Sequence, residues 1–481
     1  MIDTDLLSIQ EARTLVRAAK EALADLANLD QQAIDTLVES ISISCARHAE
    51  RLGKMAMEET GFGRWQDKMQ KNLLASEKVW NHIKGMKTIG IIREDKEKRI
   101  LEVAAPVGVI AALIPSTNPT STTIYKAIIS LKAGNAVVFS PHPSALECIH
   151  ATVEIIQQIL LEQGLSKDLV SAMRYPSIEG TRELMQQANL IIATGGPAMV
   201  KAAYSSGTPA LGVGAGNVPV FIERSADVDT AVRMILESKL FDNGTVCASE
   251  QAIIVEHVNA RQIRQKLESL GGYFLKGEDL ERVKRIMEKP NGAMNPAIVG
   301  QTAQTVAKLA GISIPESTRL LISDEPGVGP RFPFSKEKLT ALIGFYEVED
   351  WHEACELCFA LLKNGGIGHS LAIHSNDESI IREFALKKPV SRLLVNTPAT
   401  HGAVGLSTNL APALTLGCGA VGGSSISDNV DSSHLINIRK VAYGVACTPE
   451  KCDAPRQDID IAHLTRLIMA ELYAAGATKT V

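Results

Sequence analysis

No apolar run in the sequence reaches the roughly 20 residues needed to cross a bilayer. Neither charge sign dominates. The 49 Lys and Arg face 54 Asp and Glu, and the net charge of -5 gives no reason to expect a nucleic acid or an anionic membrane surface as partner. The first residues include Asp3 and Asp5 and lack a basic-then-apolar layout, so no secretory signal is expected. Cysteine is scarce and scattered. Of the 8 cysteines, Cys45, Cys148 and Cys355 sit among helix-forming residues, a reduced cytoplasmic pattern and not a disulfide frame. Cys355 and Cys358 form a lone CxxC in a leucine-rich helical context with no second pair nearby. Core packing is expected there, and no metal site.

What is present is the composition of a soluble globular chain, 45% hydrophobic and 21% charged. At 481 residues it exceeds one ordinary core and predicts two or three domains. Leu6, Ile9, Leu15, Ala19, Leu23 and Leu26 recur at helical spacing, and residues 34–56 continue in the same style until Thr60-Gly61-Phe62-Gly63 breaks them. A third helix is expected over residues 66–82. The charged segment 93–99 followed by apolar 100–105 reads as a strand pair leaving the domain body towards a partner subunit.

Val107-Gly108-Val109-Ile110-Ala111-Ala112-Leu113-Ile114 is a nearly unbroken apolar run, as in a strand covered on both faces. Helix, turn and strand then alternate: a helix from 121 or 122 to 131, a strand over 136–139, helices over 145–163 and near 179–187, and a strand over 190–193. Thr194-Gly195-Gly196 opens another helix. Such alternation argues for a doubly wound parallel sheet, whose ligands sit beyond the carboxyl ends of its strands. Asn118, Ser140 and Thr194 to Gly196 fall at such ends. Gly212-Val213-Gly214-Ala215-Gly216 loosely matches a dinucleotide glycine motif, but that motif must open a helix. Here Asn217-Val218-Pro219-Val220-Phe221-Ile222 reads as another strand, so a loop of close backbone approach is expected instead.

The central stretch is Phe241-Asp242-Asn243-Gly244-Thr245-Val246-Cys247-Ala248-Ser249-Glu250-Gln251. It follows an amphipathic helix over 225–240 and precedes the strand-length run Ala252-Ile253-Ile254-Val255. A cysteine in a Gly- and polar-lined loop can meet a ligand, and its thiolate fraction is a strong nucleophile. Taken alone, Cys247 reads more readily as a small residue packed at a helix end.

Seven motifs in order reverse that balance. Ile114-Pro115-Ser116-Thr117-Asn118-Pro119-Thr120-Ser121-Thr122, Thr194-Gly195-Gly196-Pro197, the 212–217 segment and the Cys247 loop come first. Arg331-Phe332-Pro333-Phe334, Gly365-Gly366-Ile367-Gly368-His369 and Leu414-Thr415-Leu416-Gly417-Cys418-Gly419 follow. Together they resemble the CoA-acylating branch of the aldehyde dehydrogenase superfamily, above all the aldehyde dehydrogenase half of the bifunctional aldehyde-alcohol dehydrogenases, over roughly residues 5–440. The chain ends before an iron-dependent alcohol dehydrogenase half could follow, so a stand-alone acylating enzyme is expected. The implied fold is α/β, with two doubly wound domains. A nucleotide-binding domain takes residues 1–92 and 107–240, a catalytic domain takes 241–425, and 93–106 with 426–481 form bridging, oligomerisation segments.

The resemblance implies that Cys247 attacks an aldehyde carbonyl. Asn118 and the Cys247 backbone N–H would bind the oxyanion, hydride would pass to NAD or NADP, and coenzyme A would collect the acyl group. Asn118 could also form an Asx turn before Pro119. His369 matches the family histidine suited to move the proton of Cys247 or of CoA, and satisfying a loop carbonyl is an equal reading. Glu250 is a weaker base that could only cap a chain end. Ser140, His142, Thr194, Gly195, Gly196 and Gly214 are implied cofactor contacts, and Glu337 resembles the glutamate that holds the nicotinamide ribose. No carboxylate follows Ser140 to reject a 2′-phosphate, so NADP stands close behind NAD.

Hydrolytic relatives carry a water-activating glutamate whose position is aligned to Gly212, which cannot act as a base. The implied substrates are short aldehydes. They include acetaldehyde, propionaldehyde and sulfoacetaldehyde. In the segment 400–408, Leu406-Ser407-Thr408 beside His401 stands where the bifunctional proteins tend to have an acidic residue, which favours sulfoacetaldehyde somewhat, and a loop with a capping Ser is an equal reading. A homodimer or homotetramer is implied, with no nucleic acid or membrane partner. The early start of the first helix speaks against an encapsulation peptide, and a helical repeat at 459–468 is expected to pack on its own subunit or a neighbour. A non-redox CoA acyltransferase using the same cysteine is the rival reading.

Overall fold

The computed structural model describes residues 3–289 and 294–445. The helical repeat expected at 459–468 lies outside them. Helix α1 (Thr4–Ala27) starts where the Asp3 carboxylate accepts the N–H groups of Asp5 and Leu6. Its buried stripe is Ser8, Ala12, Val16, Ala19, Ala22 and Leu26. That differs from the stripe read from its large apolar residues, since Leu6 is 64% exposed. Small side chains on this stripe permit close approach, and a Cβ on Gly180 of the neighbouring helix would strike Ser8. Helices α2 (Gln31–Arg47) and α3 (Ala49–Thr60) break at His48, and α3 stops at Gly61, whose φ of 70° suits only glycine readily. The expected third helix is α4 (Trp65–Leu73), a π-helical turn Leu74–Lys78 and the short α5 (Val79–Ile83).

Strands β1 (Gly90–Asp95) and β2 (Ile100–Pro106) form an antiparallel hairpin that starts slightly earlier than expected. The chain then builds a five-stranded parallel sheet from β3 (Val109–Ile114), β4 (Ala136–Pro141), β5 (Val170–Ala172), β6 (Leu190–Thr194) and β7 (Ala210–Val213), in the order β5-β4-β3-β6-β7. Every residue of β3 and β4 is buried, as their unbroken apolar runs require. Helices α6 (Pro119–Lys132), α7 (Leu146–Glu162), α8 (Ile178–Gln187) and α9 (Pro197–Tyr204) make the crossovers.

A second parallel sheet of seven strands follows, from β8 (Val218–Ile222), β9 (Glu250–Glu256), β10 (Gly272–Leu275), β11 (Leu320–Asp324), β12 (Leu342–Val348), β13 (Gly368–His374) and β14 (Val390–Val395). β8 pairs with β9 and β13, so the chain changes sheets at residues 214–217. The boundary expected at 240/241 is therefore too late, and helix α10 (Val228–Leu240) joins the second sheet. β15 (Ile436–Ala442) returns to pair antiparallel with β2, completing a three-stranded sheet away from the two cores.

Candidate active site

The two parallel sheets meet end to end. The carboxyl ends of β3, β4, β6 and β7 face a cavity of about 650 Å³ and present Asn118, Ser140, Thr194 and Val213 to it. The second sheet offers its amino ends: Gly214 and Ala215 just before β8, and Cys247 just before β9, line the same cavity. The rule that ligands sit at carboxyl ends holds for the first sheet alone.

The cysteine loop has an unusual backbone. Asp242, Asn243 and Gly244 take φ of 50°, 52° and 78°, three left-handed residues in a row. A non-glycine residue there costs about 1–3 kcal/mol and persists only where its surroundings hold it. Asp242 is held completely. Its N–H donates to Asp67 Oδ2 (2.8 Å), and its carboxylate accepts from the Arg64 N–H (2.7 Å), Lys68 Nζ (3.0 Å), Lys71 Nζ (2.5 Å) and Thr245 Oγ1 (2.7 Å). Asn243 Nδ2 donates to the Gly300 carbonyl at 2.8 Å. Downstream, a Cβ on Gly216 would overlap the Cys247 carbonyl oxygen, which is the close approach anticipated for that segment.

Cys247 Sγ lies 3.1 Å from His369 Nε2. Burial, then the Glu337 carboxylate, pushes the thiol up to about 12, so the free protein holds a thiol. His369, the second residue of β13, is buried, and burial followed by the nearby Arg392 charge drives it down to about 3. It is a neutral imidazole able to accept a proton. Its other nitrogen, Nδ1, meets Ser370 Oγ at 3.0 Å, and that hydroxyl accepts from Arg392 Nε (3.1 Å). Arg392 also donates to the His369 carbonyl (2.9 Å) and the Gly417 carbonyl (2.6 Å). Both ring nitrogens of His369 thus bind side chains, not the loop carbonyl considered from sequence.

Asn118 precedes α6 and makes no side-chain cap to it, so the Asx turn is not formed. Its Oδ1 accepts from Lys71 Nζ (2.6 Å), and its Nδ2 donates to the Thr245 carbonyl (3.2 Å), two residues before the cysteine. Glu337 Oε1 accepts the Gly216 N–H (3.0 Å), and burial raises its carboxyl to about 7. It is the one carboxylate among the described residues lining the cavity. Glu250 is also raised to about 7 by burial, but it accepts from Ser238 Oγ and the Ala399 N–H and is absent from the cavity wall. Its carboxylate thus meets the first N–H of the helix Ala399–Ala403.

Ser140, His142, Thr194, Gly195, Gly196 and Gly214 all line the cavity. A Cβ at Gly196 or Gly214 would meet only open space, so backbone there faces whatever enters. Gly212 does not line this cavity. Its Cβ would strike Tyr204 Cε2 at 2.9 Å and Val200 Cγ1 at 3.0 Å, and it lines a neighbouring pocket with Gly214 and Cys418. Strand alternation puts Val213 on the cavity instead. At the other end, His401 and Leu406 line the wall, with His401 Nδ1 3.3 Å from Glu237 Oε1. Ser407 and Thr408 bond inside their own loop, to Thr397 Oγ1 (2.6 Å) and the Gly402 carbonyl (2.7 Å), and do not reach it.

Sequence reasoning missed Lys71, Asp242, Ser370 and Arg392. Lys68 and Lys71 fall within the expected third helix, and nothing local marks them as 2% and 4% exposed. Arg392 sits in a short strand where a charge would be expected at the edge.

Residues 3–321 match the aldehyde dehydrogenase family. The chain is similar to the bifunctional aldehyde-alcohol dehydrogenase of Escherichia coli K12, 43% identical over 442 residues, which are 90% of this chain and 50% of that protein. It thus spans about half the length of that relative. A probable aldehyde dehydrogenase from Listeria monocytogenes EGD-e superposes with a TM-score of 0.92 at 55% identity, covering 93% of this chain and 100% of the other. An acetylating aldehyde dehydrogenase from Geobacillus thermoglucosidasius does so with a TM-score of 0.91 at 48% identity, covering 94% and 100%.

Proposed function

The chain belongs to the aldehyde dehydrogenase family, and from that premise we propose that it is a CoA-acylating member. The reaction is aldehyde + CoA + NAD(P)+ to acyl-CoA + NAD(P)H + H+. The observation that carries this reading is the thiol of Cys247, 3.1 Å from a neutral His369, on a cavity where β7 offers Val213 and no base to ready a water.

Cys247 attacks the carbonyl carbon. Its proton passes to His369 Nε2 as the carbon–sulfur bond forms, since the thiol and the uncharged imidazole are the resting state. The oxyanion is met by Asn118 Nδ2 and the Cys247 backbone N–H. A nicotinamide cofactor, when bound, would supply the hydride acceptor, and loss of hydride would leave the acyl group as a thioester on Cys247. The backbone of Gly195, Gly196 and Gly214, with Ser140 and Thr194, would hold it, and Glu337 would take a ribose hydroxyl. His142 at the far end, with no carboxylate beside it on the wall, admits NAD or NADP. His369 sheds its proton readily and is then free to take that of the CoA thiol as it attacks the thioester. The same proton returns to Cys247 when the acyl group departs.

A short unsubstituted aldehyde fits best. Of the features that favoured a sulfonate, His401 and Leu406 line the cavity, but Leu406 offers it only apolar surface, and the hydroxyls of Ser407 and Thr408 are bonded within their loop. We read the β1-β2-β15 sheet, which exposes Ile91, Ile438 and Val441, as the bridge of a cytoplasmic homodimer or homotetramer. The test mixes acetaldehyde or sulfoacetaldehyde with CoA and NAD+ or NADP+ and follows absorbance of reduced nicotinamide. Acetaldehyde and CoA together should give turnover that Cys247→Ser loses. Acyl transfer without reduced nicotinamide would favour a non-redox acyltransferase.

A further inference from the structure

The side-chain amide of Asn118 has two ends of like shape and opposite polarity. Only its N–H end can stabilise an oxyanion, since the oxygen end would repel it. Which end faces the reacting carbon must therefore be fixed. Lys71 Nζ stands 2.6 Å from one end, and an ammonium donates only, so that end is Oδ1. The opposite end, Nδ2, donates to the Thr245 carbonyl, which ties it to the nucleophile's loop, and to Thr117 Oγ1, the contact that an arriving oxyanion would displace, both at 3.2 Å. Lys71 is itself pinned, by Asp242 Oδ2 at 2.5 Å and Thr245 Oγ1 at 3.4 Å. One buried lysine on α4 thus joins the residue before α6 to the loop that carries the nucleophile.

We propose that Lys71 is a positioning residue that holds Asn118 with its N–H end towards the substrate oxygen and ties that donor to the Cys247 loop. This rests on the reading of Asn118 as an oxyanion donor. The lysine's charge also draws electrons through the amide, strengthening the N–H as a donor where hydrogen bonds run in series. Burial lowers Lys71 to about 8, with Asp242 opposing the fall, so the ammonium persists at neutral pH.

A double-mutant cycle tests it, with Lys71→Met, Lys71→Gln and Asn118→Ala, alone and combined, assayed at pH 7 for kcat and for the aldehyde KM. Asn118→Ala should lower kcat about 10²–10³-fold, as loss of one oxyanion donor does. Lys71→Met should lower kcat by about tenfold or more while KM shifts less than about threefold, because the oxyanion forms only after attack. In the Asn118→Ala background, Lys71→Met should change kcat less than about twofold. Lys71→Gln, which keeps an N–H for Oδ1, should recover most of the loss. Effects that multiply across the cycle would overturn the role of Lys71 while leaving Asn118 intact. A fully active Asn118→Ala would overturn the oxyanion reading itself. Should Lys71→Met fail to fold, Lys71→Gln decides alone, and a loss as deep as that of Asn118→Ala overturns the proposal.

Discussion

At the scale of single residues, the proposed reaction makes the fate of an acyl group turn on what β7 shows the cavity. Val213 faces the cavity and Gly212 faces Tyr204. Val213→Glu should therefore raise the yield of free acid relative to acyl-CoA, by placing a carboxylate where water can be activated. Gly212→Glu should leave that ratio unchanged and lower the melting temperature, because its Cβ lands 2.9 Å from a ring carbon. Measuring both products in the presence of CoA checks both. Cys247, His369 and Asn118 were legible in sequence because motifs carry them. The residues that set their state were not. Arg392 reaches His369 and Ser370 from a separate strand, and no spacing rule links positions 369 and 392.

Elements were legible wherever one face or both faces of a strand are covered, since burial writes itself as an apolar run. β3, β4, β6 and β8 follow from that alone. What an apolar run does not carry is the sheet to which it belongs, so β8 was assigned to the wrong side of the junction. The loop of three left-handed residues was likewise hidden, because Asp242 and Asn243 hold their backbone through partners remote in the chain. The Gly216 segment offers a test at this scale. Gly216→Ala would drive a Cβ into the Cys247 carbonyl and to 3.2 Å from His369 Cγ. It should cost about 1–3 kcal/mol of stability and more than tenfold in kcat, since a small misplacement of reacting groups is expensive. Gly85→Ala, with no neighbour near its Cβ, should change neither. Calorimetry and steady-state rates decide it.

For the whole molecule, two kinds of buried group oppose one another in acid. His369 and His374 are held neutral, at about 3 and about 4, while an unfolded histidine titrates near 6.5. The unfolded chain binds more protons between those values, so stability falls as pH drops below 6.5. Glu337 and Glu250 are raised to about 7 from 4.5, so the folded chain binds more protons there and stability rises as pH drops from 7. Between pH 7 and 5 each of the four amounts to about 2 kcal/mol, and the pairs nearly cancel. Glu337→Gln should remove one of the two glutamates from that balance, leaving one histidine unopposed, and make the protein about 2 kcal/mol less stable at pH 5 than at pH 7, read from denaturant midpoints. The same molecule assembles its centre from both sheets: the donor amide follows β3, while the sulfur precedes β9 and its proton acceptor opens β13. In a partly synthesised polypeptide the sulfur, its proton acceptor and the donor amide are therefore not yet together, and the centre exists only once both halves have joined.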